Sequence, residues 1–455
     1  MNTQPSFVIV GGGMAGALAA QTLREEGFDG MITLLGQEPN APYERPPLSK
    51  DYLQGKADRD SIFVQPAPWY AEHAVELSLN SAVTSVEPAS RTVTTAAGER
   101  LSYDKLLLAT GSKPRRLDLP GADLDGVYYL RNVEDSECIK IEFGRAKRVV
   151  IIGAGWIGLE TAAAARAAGL EVMLLVSGDL PLQHVLGPEA APTFDELHRS
   201  HGVDLRYRTT AVEIAGRQGA VTGVMLSDGA PIDADMIIVG VGVAPRTELA
   251  AAAGLKIDNG IVVDEHLRTS DPDIFAAGDI AQTYSPRLGR HIRVEHWANA
   301  RRQGAVAAKS MLDQDAVDVR PFVLLHRSVR PQHGVHRRHR PGRLRPGDLP
   351  QVRRTRSDDR LRALRAAHPC RHEHQHLGCC RRHRTINPVS TPDQRRESRQ
   401  SGNPAGHLVI KAQARCSLGA QDVATILSEV GVRIESGLFR VPAESFFVPT
   451  HRRTR

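Results

Sequence analysis

Two glycine triplets carry the first recognisable chemistry in this chain. Gly11, Gly13 and Gly16 stand in FVIVGGGMAGALAAQTL (Phe7–Leu23), and Gly153, Gly155 and Gly158 stand in VVIIGAGWIGLETAAAA (Val149–Ala165). Each triplet follows a β-branched run and opens an Ala-rich helical pattern. The first glycine permits a tight turn, the second lets a pyrophosphate approach the backbone, and the third lets helix pack on strand. Phosphates then meet the helix N-terminus, where unpaired N–H groups and the dipole favour anions. A single triplet is weak evidence. Here each is followed by a second apolar strand, MITLLG from Met31 and EVMLLV from Glu171. The opening βαβ of a dinucleotide fold therefore occurs twice.

The two second strands end differently. Gln37-Glu38 follows the first, and Glu38 is the acid expected to hold a ribose hydroxyl. The second ends at Leu175-Val176-Ser177, where Val176 accepts no ribose hydrogen bond. No Arg or Lys follows to meet a 2′-phosphate, so NADPH gains little support over NADH.

Further strands are expected at Leu106–Thr110 before Gly111, at Met236–Val243 before Ala244-Pro245, and at Ile274–Ala281 with its Gly-Asp turn. Strand and helix alternate up to residue 312, as in a doubly wound fold. The expected class is α/β, with two Rossmann-like dinucleotide-binding domains. No apolar run approaches the about 20 residues of a membrane helix. The N-terminal MNTQPSFVIVGGG lacks a basic n-region and a cleavable apolar segment, so a cytoplasmic protein is expected. Cys138 is the only cysteine in the first 320 residues, which excludes a disulfide framework and a redox dithiol in that core. The net charge of +6 is local in origin: residues 321–400 hold 20 Arg, no Lys and 6 acids, leaving the rest net acidic.

Several motifs converge in order: APYERPPLSK (Ala41–Lys50), LLLATGSKPRR (Leu106–Arg116), VYYLRNVED (Val127–Asp135), GAGWIGLETA (Gly153–Ala162), VGVGVAPRTELA (Val239–Ala250), TSDPDIFAAGDIA (Thr269–Ala281) and VEHWANARRQG (Val294–Gly304). Together they resemble the ferredoxin reductases of bacterial oxygenase systems, over residues 6 to 320. Two triplets alone fit any relative of the pyridine nucleotide–disulfide oxidoreductases; PYERPPLSK and VEHWANA narrow the match.

The resemblance implies FAD at the first triplet and NADH at the second. Hydride would pass from nicotinamide to flavin, and single electrons to a small [2Fe–2S] ferredoxin. It places Lys50 beside the isoalloxazine, stabilising negative charge on reduced flavin, with Glu160 paired to it near the nicotinamide. Arg45 and Arg131 would hold FAD, Val83 its adenine end, and Asp279 its ribityl chain; Trp297 would flank the flavin. Ala109, Thr110 and Gly111, with Gly242 and Gly278, join the cofactor-binding set through the same motifs. Arg246 stands where the family usually has Asn. The cofactor performs the chemistry and the protein positions it. The implied division is an FAD-binding part at 1–115 and 245–322 and an NAD(P)H-binding part at 116–244. A monomer or weak homodimer is expected, with no membrane, metal or nucleic-acid partner.

Residues 323–404 should form the family's third, α+β domain. They read instead as LLHRSVRPQHGVHRRHRPGRLRPG and PCRHEHQHLGCCRRHR, with no sustained period. His372–His376 with Cys379 and Cys380 form no recognised closed ligand set. A shifted reading frame explains more. Codons chosen for Leu325–Arg337, read from the second base, give YTDQYDLSMEYT. Those for Cys370–His383 give AGMNINIWDVVDD in the same frame. Both strings look like the missing domain, and one inserted base near Val323 suffices. The 405–455 tail, of no assigned role, would follow from the missed stop codon. The expectation is a retained dinucleotide core with weak or absent ferredoxin reduction. Two other readings are an NADH oxidase-type flavoprotein, which needs a redox cysteine at the flavin, and an apoptosis-inducing-factor-like flavoprotein whose basic tail binds nucleic acid.

Overall fold

The computed structural model describes residues 4–286 and 288–318. The 323–404 segment, the 405–455 tail, His372–His376 and Cys379-Cys380 lie outside them.

Two five-stranded parallel sheets form the frame. The first runs, in spatial order, Ile274–Ala276, Lys105–Leu108, Ser6–Val10, Met31–Leu35, Val75–Ser78. The second runs Val203–Tyr207, Glu171–Val176, Arg148–Ile152, Met236–Val239, Val127–Tyr129. Central strands of parallel sheets are covered on both faces and read as continuous apolar runs. Val8, Ile9, Leu106 and Leu107 in one, and Ile151, Ile237 and Ile238 in the other, are fully buried. Each such side chain contributes about 1.5–3 kcal/mol on burial.

Each central strand feeds a glycine turn and a helix, Met14–Glu25 or Trp156–Ala167. Gly16 and Gly158 sit where those helices press on their own turns. A Cβ at Gly16 would lie 2.2 Å from the Gly11 carbonyl oxygen, and one at Gly158 would lie 1.9 Å from that of Gly153. No other residue fits there.

The sequence-predicted strands are shortened at their ligand ends. Leu106–Thr110 is Lys105–Leu108. Met236–Val243 splits into Met236–Val239 and Val243–Pro245, because Gly242 turns left-handed at φ 95°. Ile274–Ala281 stops at Ala276; a 3-10 turn, Gly278–Ile280, follows with Gly278 at φ 84°, and a new strand begins at Ala281. Strict strand–helix alternation also fails. Antiparallel meanders at Val83–Ser102 and Ala211–Asp233, and a mixed sheet between Ile257 and Arg293, interrupt it.

The last described helix, Trp297–Met311, returns to the first glycine turn. It packs on Met14–Glu25 at Gly304, where a Cβ would lie 2.4 Å from the Ala15 carbonyl oxygen. This close crossing sets Trp297 at the mouth of the first cradle. No described helix is long and apolar enough to cross a membrane.

Candidate active site at a shared cavity

A cavity of about 500 Å³ opens at the C-terminal ends of the first sheet's strands. Ligands of open α/β sheets bind in this crevice. Its walls carry Gly11, Gly13, Glu38, Arg45, Lys50, Val83, Ala109, Thr110, Gly111, Arg131, Glu160, Gly278, Asp279 and Trp297. Gly16 lies beneath it as packing. Gly153, Gly155, Gly158 and Gly242 are not part of its wall; the second cradle reaches the cavity only through Trp156, Ile157 and Glu160.

The side of the cavity around Glu38 is a charge network. Arg45 Nη2 donates to Glu38 Oε1 at 2.7 Å, and its Nη1 donates to the Arg131 carbonyl at 2.5 Å. The Tyr43 hydroxyl donates to Glu38 Oε2 and accepts from the Val133 N–H at 3.2 Å. Burial pushes the Glu38 carboxyl up, but adjacent Arg45 and the Tyr43 hydroxyl outweigh it and hold the group below its ordinary range. Burial and then Arg45 lower the Arg131 guanidinium to about 10, against the opposing pull of Asp279, 3.6 Å away. Two arginines at one cavity wall, each beside a carboxylate, can also take charge-assisted hydrogen bonds to an anion such as a pyrophosphate.

Opposite this network lies an ion pair between the two halves. Lys50 Nζ donates to Glu160 Oε2 at 2.8 Å, and Ser49 Oγ donates to the same oxygen at 2.5 Å. Lys50 belongs to the loop after the 3-10 turn Pro46–Ser49; Glu160 lies in the second cradle's helix and is 7% exposed. His296 caps the Trp297 helix, its ring nitrogen Nδ1 accepting from the Ala298 N–H at 3.1 Å. Burial, with help from Lys50 and Arg302, depresses its pKa against Asp279, which keeps the accepting nitrogen unprotonated.

The residues fit a flavin dinucleotide. Both fingerprint helices lack a side-chain cap and carry no acid in the first turn, leaving positive N-termini for phosphate. A Cβ at Gly13 or Gly155 would meet nothing within 4 Å, so protein packing does not demand glycine there. The space left at both turns is open to the close approach of a phosphate. Trp297 Nε1 is buried with no acceptor among the described residues, a donor that costs about 1–3 kcal/mol unless a ligand accepts from it.

Sequence reasoning missed Tyr43, Ser49 and His296. Each is an uncharged side chain outside the long helices and sheet strands, and only the fold shows that Tyr43 and Ser49 bond the Glu38 and Glu160 carboxylates and that His296 caps a helix. It also missed a basic residue at the second strand's end. Val203–Tyr207 pairs beside Glu171–Val176 with Tyr207 opposite Val176, and Arg208 follows. The Arg208 N–H donates to the Gly178 carbonyl at 3.1 Å, and its Nε donates to Asp179 Oδ1 at 2.6 Å. No Arg or Lys follows the second strand in sequence; the neighbouring parallel strand brings Arg208 to its turn instead. Cys138, in the helix Val133–Phe143, is not part of the cavity wall, which disfavours the cysteine-dependent oxidase reading.

The comparisons with known proteins agree. The family model for pyridine nucleotide-disulphide oxidoreductases matches residues 5–304. Rhodocoxin reductase of Rhodococcus erythropolis is 43% identical over 295 residues, 65% of this chain and 69% of that protein. The crystal structure of the ferredoxin reductase for the CYP199A2 system of Rhodopseudomonas palustris superposes with a TM-score of 0.67 at 41% identity, covering 70% of this chain and 78% of that one. The reductase of a covalent putidaredoxin reductase–putidaredoxin complex gives 0.68 at 38% identity, covering 70% and 77%. With two glycine cradles, a cavity between them and these relatives, the chain is an oxidoreductase that belongs to the pyridine nucleotide-disulphide oxidoreductase family.

Proposed function

We propose that this protein is a ferredoxin reductase of an oxygenase system, passing hydride from NADH to FAD and then single electrons to a small [2Fe–2S] ferredoxin. The observation that carries this reading is the Lys50–Glu160 pair, which joins the two cradles inside one cavity. Sheet membership supports the division into an FAD-binding part (1–115 with 245–322) and an NAD(P)H-binding part (116–244).

The FAD, when bound, supplies two-electron acceptance and one-electron release. The residues position it. Gly11 and Gly13 admit the pyrophosphate, Arg45 and Arg131 counter its charge, and Glu38 takes the ribose. Val83 borders the adenine, Asp279 the ribityl chain, and Trp297 one side of the ring system. Lys50 supplies positive charge where negative charge develops, and Ser49 and Lys50 together hold the Glu160 carboxylate in one orientation. An ion pair this buried costs desolvation that its attraction barely repays, so a role in the reaction explains it better than stability does.

The test is an absorbance spectrum of the purified chain, followed by anaerobic titration with NADH and then with a bacterial oxygenase ferredoxin. Bound flavin that bleaches with stoichiometric NADH is expected; a chain without flavin sinks the reading. Artificial acceptors should be reduced faster than ferredoxin, since residues 323–404 depart from the family's pattern. Fast ferredoxin reduction by the 455-residue chain would contradict the shifted-frame reading.

A further inference from the structure

We propose that the end of the second cradle is a 2′-phosphate subsite, so that the chain takes NADPH alongside NADH. This rests on reading the Gly153–Gly158 cradle as the nicotinamide-nucleotide site.

The adenosine ribose of a nucleotide on a βαβ unit lies where the second strand ends. Here that end is tied to the glycine turn, through Gly153 N–H to the Leu175 carbonyl at 3.1 Å and Leu182 N–H to the Ala154 carbonyl at 3.1 Å. A protein that selects NADH places an acid at this point, because a carboxylate accepts from the ribose hydroxyls and repels a 2′-phosphate. This chain has Val176, which is 2% exposed and apolar, then the exposed hydroxyl of Ser177 and then Gly178. Nothing at those three positions repels an anion.

Arg208 supplies the attraction. It is the first residue beyond the parallel neighbouring strand and lies on the ligand-binding edge of the sheet. Its backbone is left-handed at φ 52°, and its N–H holds the Gly178 carbonyl, so its position is locked to the turn. Its side chain is 79% exposed and leans on Asp179, which is 57% exposed. An exposed pair of this kind holds its partners weakly, more weakly than a charge-assisted contact from guanidinium to a phosphate dianion. A 2′-phosphate therefore displaces Asp179 as the partner of Arg208, with Ser177 Oγ as a neutral donor beside it. Asp179 opposes the phosphate but does not block it.

The experiment is calorimetric binding of NADP+ and NAD+, with adenosine 2′,5′-bisphosphate and AMP as fragment probes, to the purified full-length chain. NADP+ should bind within about tenfold of NAD+. Arg208→Ala should weaken NADP+ and the bisphosphate by about tenfold while NAD+ and AMP stay within about twofold. Arg208→Lys should recover part of the loss, and Asp179→Asn should tighten NADP+ alone. NADP+ binding more than about a hundredfold weaker than NAD+ overturns the proposal, as does an equal loss of both nucleotides in Arg208→Ala. Binding of NAD+ alone sinks the subsite and leaves the parent reading intact; binding of neither nucleotide sinks both.

Discussion

The two glycine cradles are built alike and finished differently. Both place an uncapped helix N-terminus above a buried parallel strand, and both use a third glycine to let the helix touch its own turn. At the first, the second strand runs out to Glu38, which Arg45 and Tyr43 hold at a cavity wall. At the second, it runs out to a buried valine and an exposed serine, with Arg208 at the open edge. The backbone motif specifies that a dinucleotide binds. The few residues at the strand's end, and what neighbouring elements bring to them, specify which one and how permanently. On the proposed reading, the closed wall of charge suits a cofactor that stays bound and the solvent-facing edge suits a substrate that must leave.

The equivalence of the two cradles is tested most severely at their third glycines. Gly16→Val and Gly158→Val both force a side chain into a carbonyl oxygen at about 2 Å. Overpacking a site with no room costs more than the usual about 1–3 kcal/mol. Both variants should lose cooperative unfolding at ambient temperature, as followed by circular dichroism. A stable Gly158→Val would show that the second cradle tolerates a helix shift that the first does not.

Next in size is the link between the cradles. Lys50→Met leaves Glu160 buried beside Ser49 without its cation, and Glu160→Leu strands Lys50. Removing one partner of a buried pair costs about 3–5 kcal/mol, while replacing both by apolar residues of similar volume is near neutral. Lys50 is 20% exposed, so the lower end is expected for its stranding. The double variant Lys50→Met/Glu160→Leu should therefore melt within a few degrees of wild type and yet show slow flavin reduction in stopped flow. A double variant with normal flavin reduction would reduce the pair to a structural contact.

Much of this was legible beforehand. Val8, Ile9, Val150 and Ile151 announce buried parallel strands by β-branching, and the glycine spacing announces the turns. The motifs placed Lys50 and Glu160 together across 110 residues, and they do meet. Local sequence failed where a residue's partner is set by topology. Tyr43 reads as an ordinary loop aromatic, yet its hydroxyl joins Glu38 to the start of the Val133–Phe143 helix. Arg208 lies far from Val176 in sequence and beside its turn only because two strands are parallel neighbours. Strand ends were overrun because Gly242 read as apolar continuity, and because the Gly-Asp turn at Gly278 breaks the strand where the apolar pattern carries on to Ala281.

A smaller, pH-dependent contrast separates the two strand ends. The Glu38 pKa is depressed in the folded protein, below its ordinary 4.5. A depressed carboxylate contributes stability that is full above its unfolded value and is lost as pH falls through its folded value. Wild type should thus melt higher than Glu38→Gln near neutrality, and the gap should close as pH drops below about 4.5. The same scan on Ser177→Ala should show a flat difference, because no carboxylate is at stake there. A gap that persists at acid pH would mean that Glu38 acts by shape and not by charge.

The smallest effect on stability belongs to the middle glycines, and it isolates the ligand. Gly13 has φ −101° and ψ −170°, and Gly155 has φ −80° and ψ −173°, values open to any residue. Space for a Cβ exists at both. Alanine gains about 0.4–1 kcal/mol by restricting the unfolded chain, and it loses a similar amount because glycine is the better N-cap. The ligand-free fold of Gly13→Ala and Gly155→Ala should therefore unfold within about 0.5 kcal/mol of ligand-free wild type. Nucleotide affinity should fall sharply and separately, with flavin lost on purification in Gly13→Ala and NAD+ binding weakened in Gly155→Ala with flavin retained. Protein packing gives no reason for glycine at either place, so a loss confined to one nucleotide per variant assigns each cradle its own ligand. Loss of flavin in both would mean that the second cradle acts on the first through Glu160, and that the two are not independent.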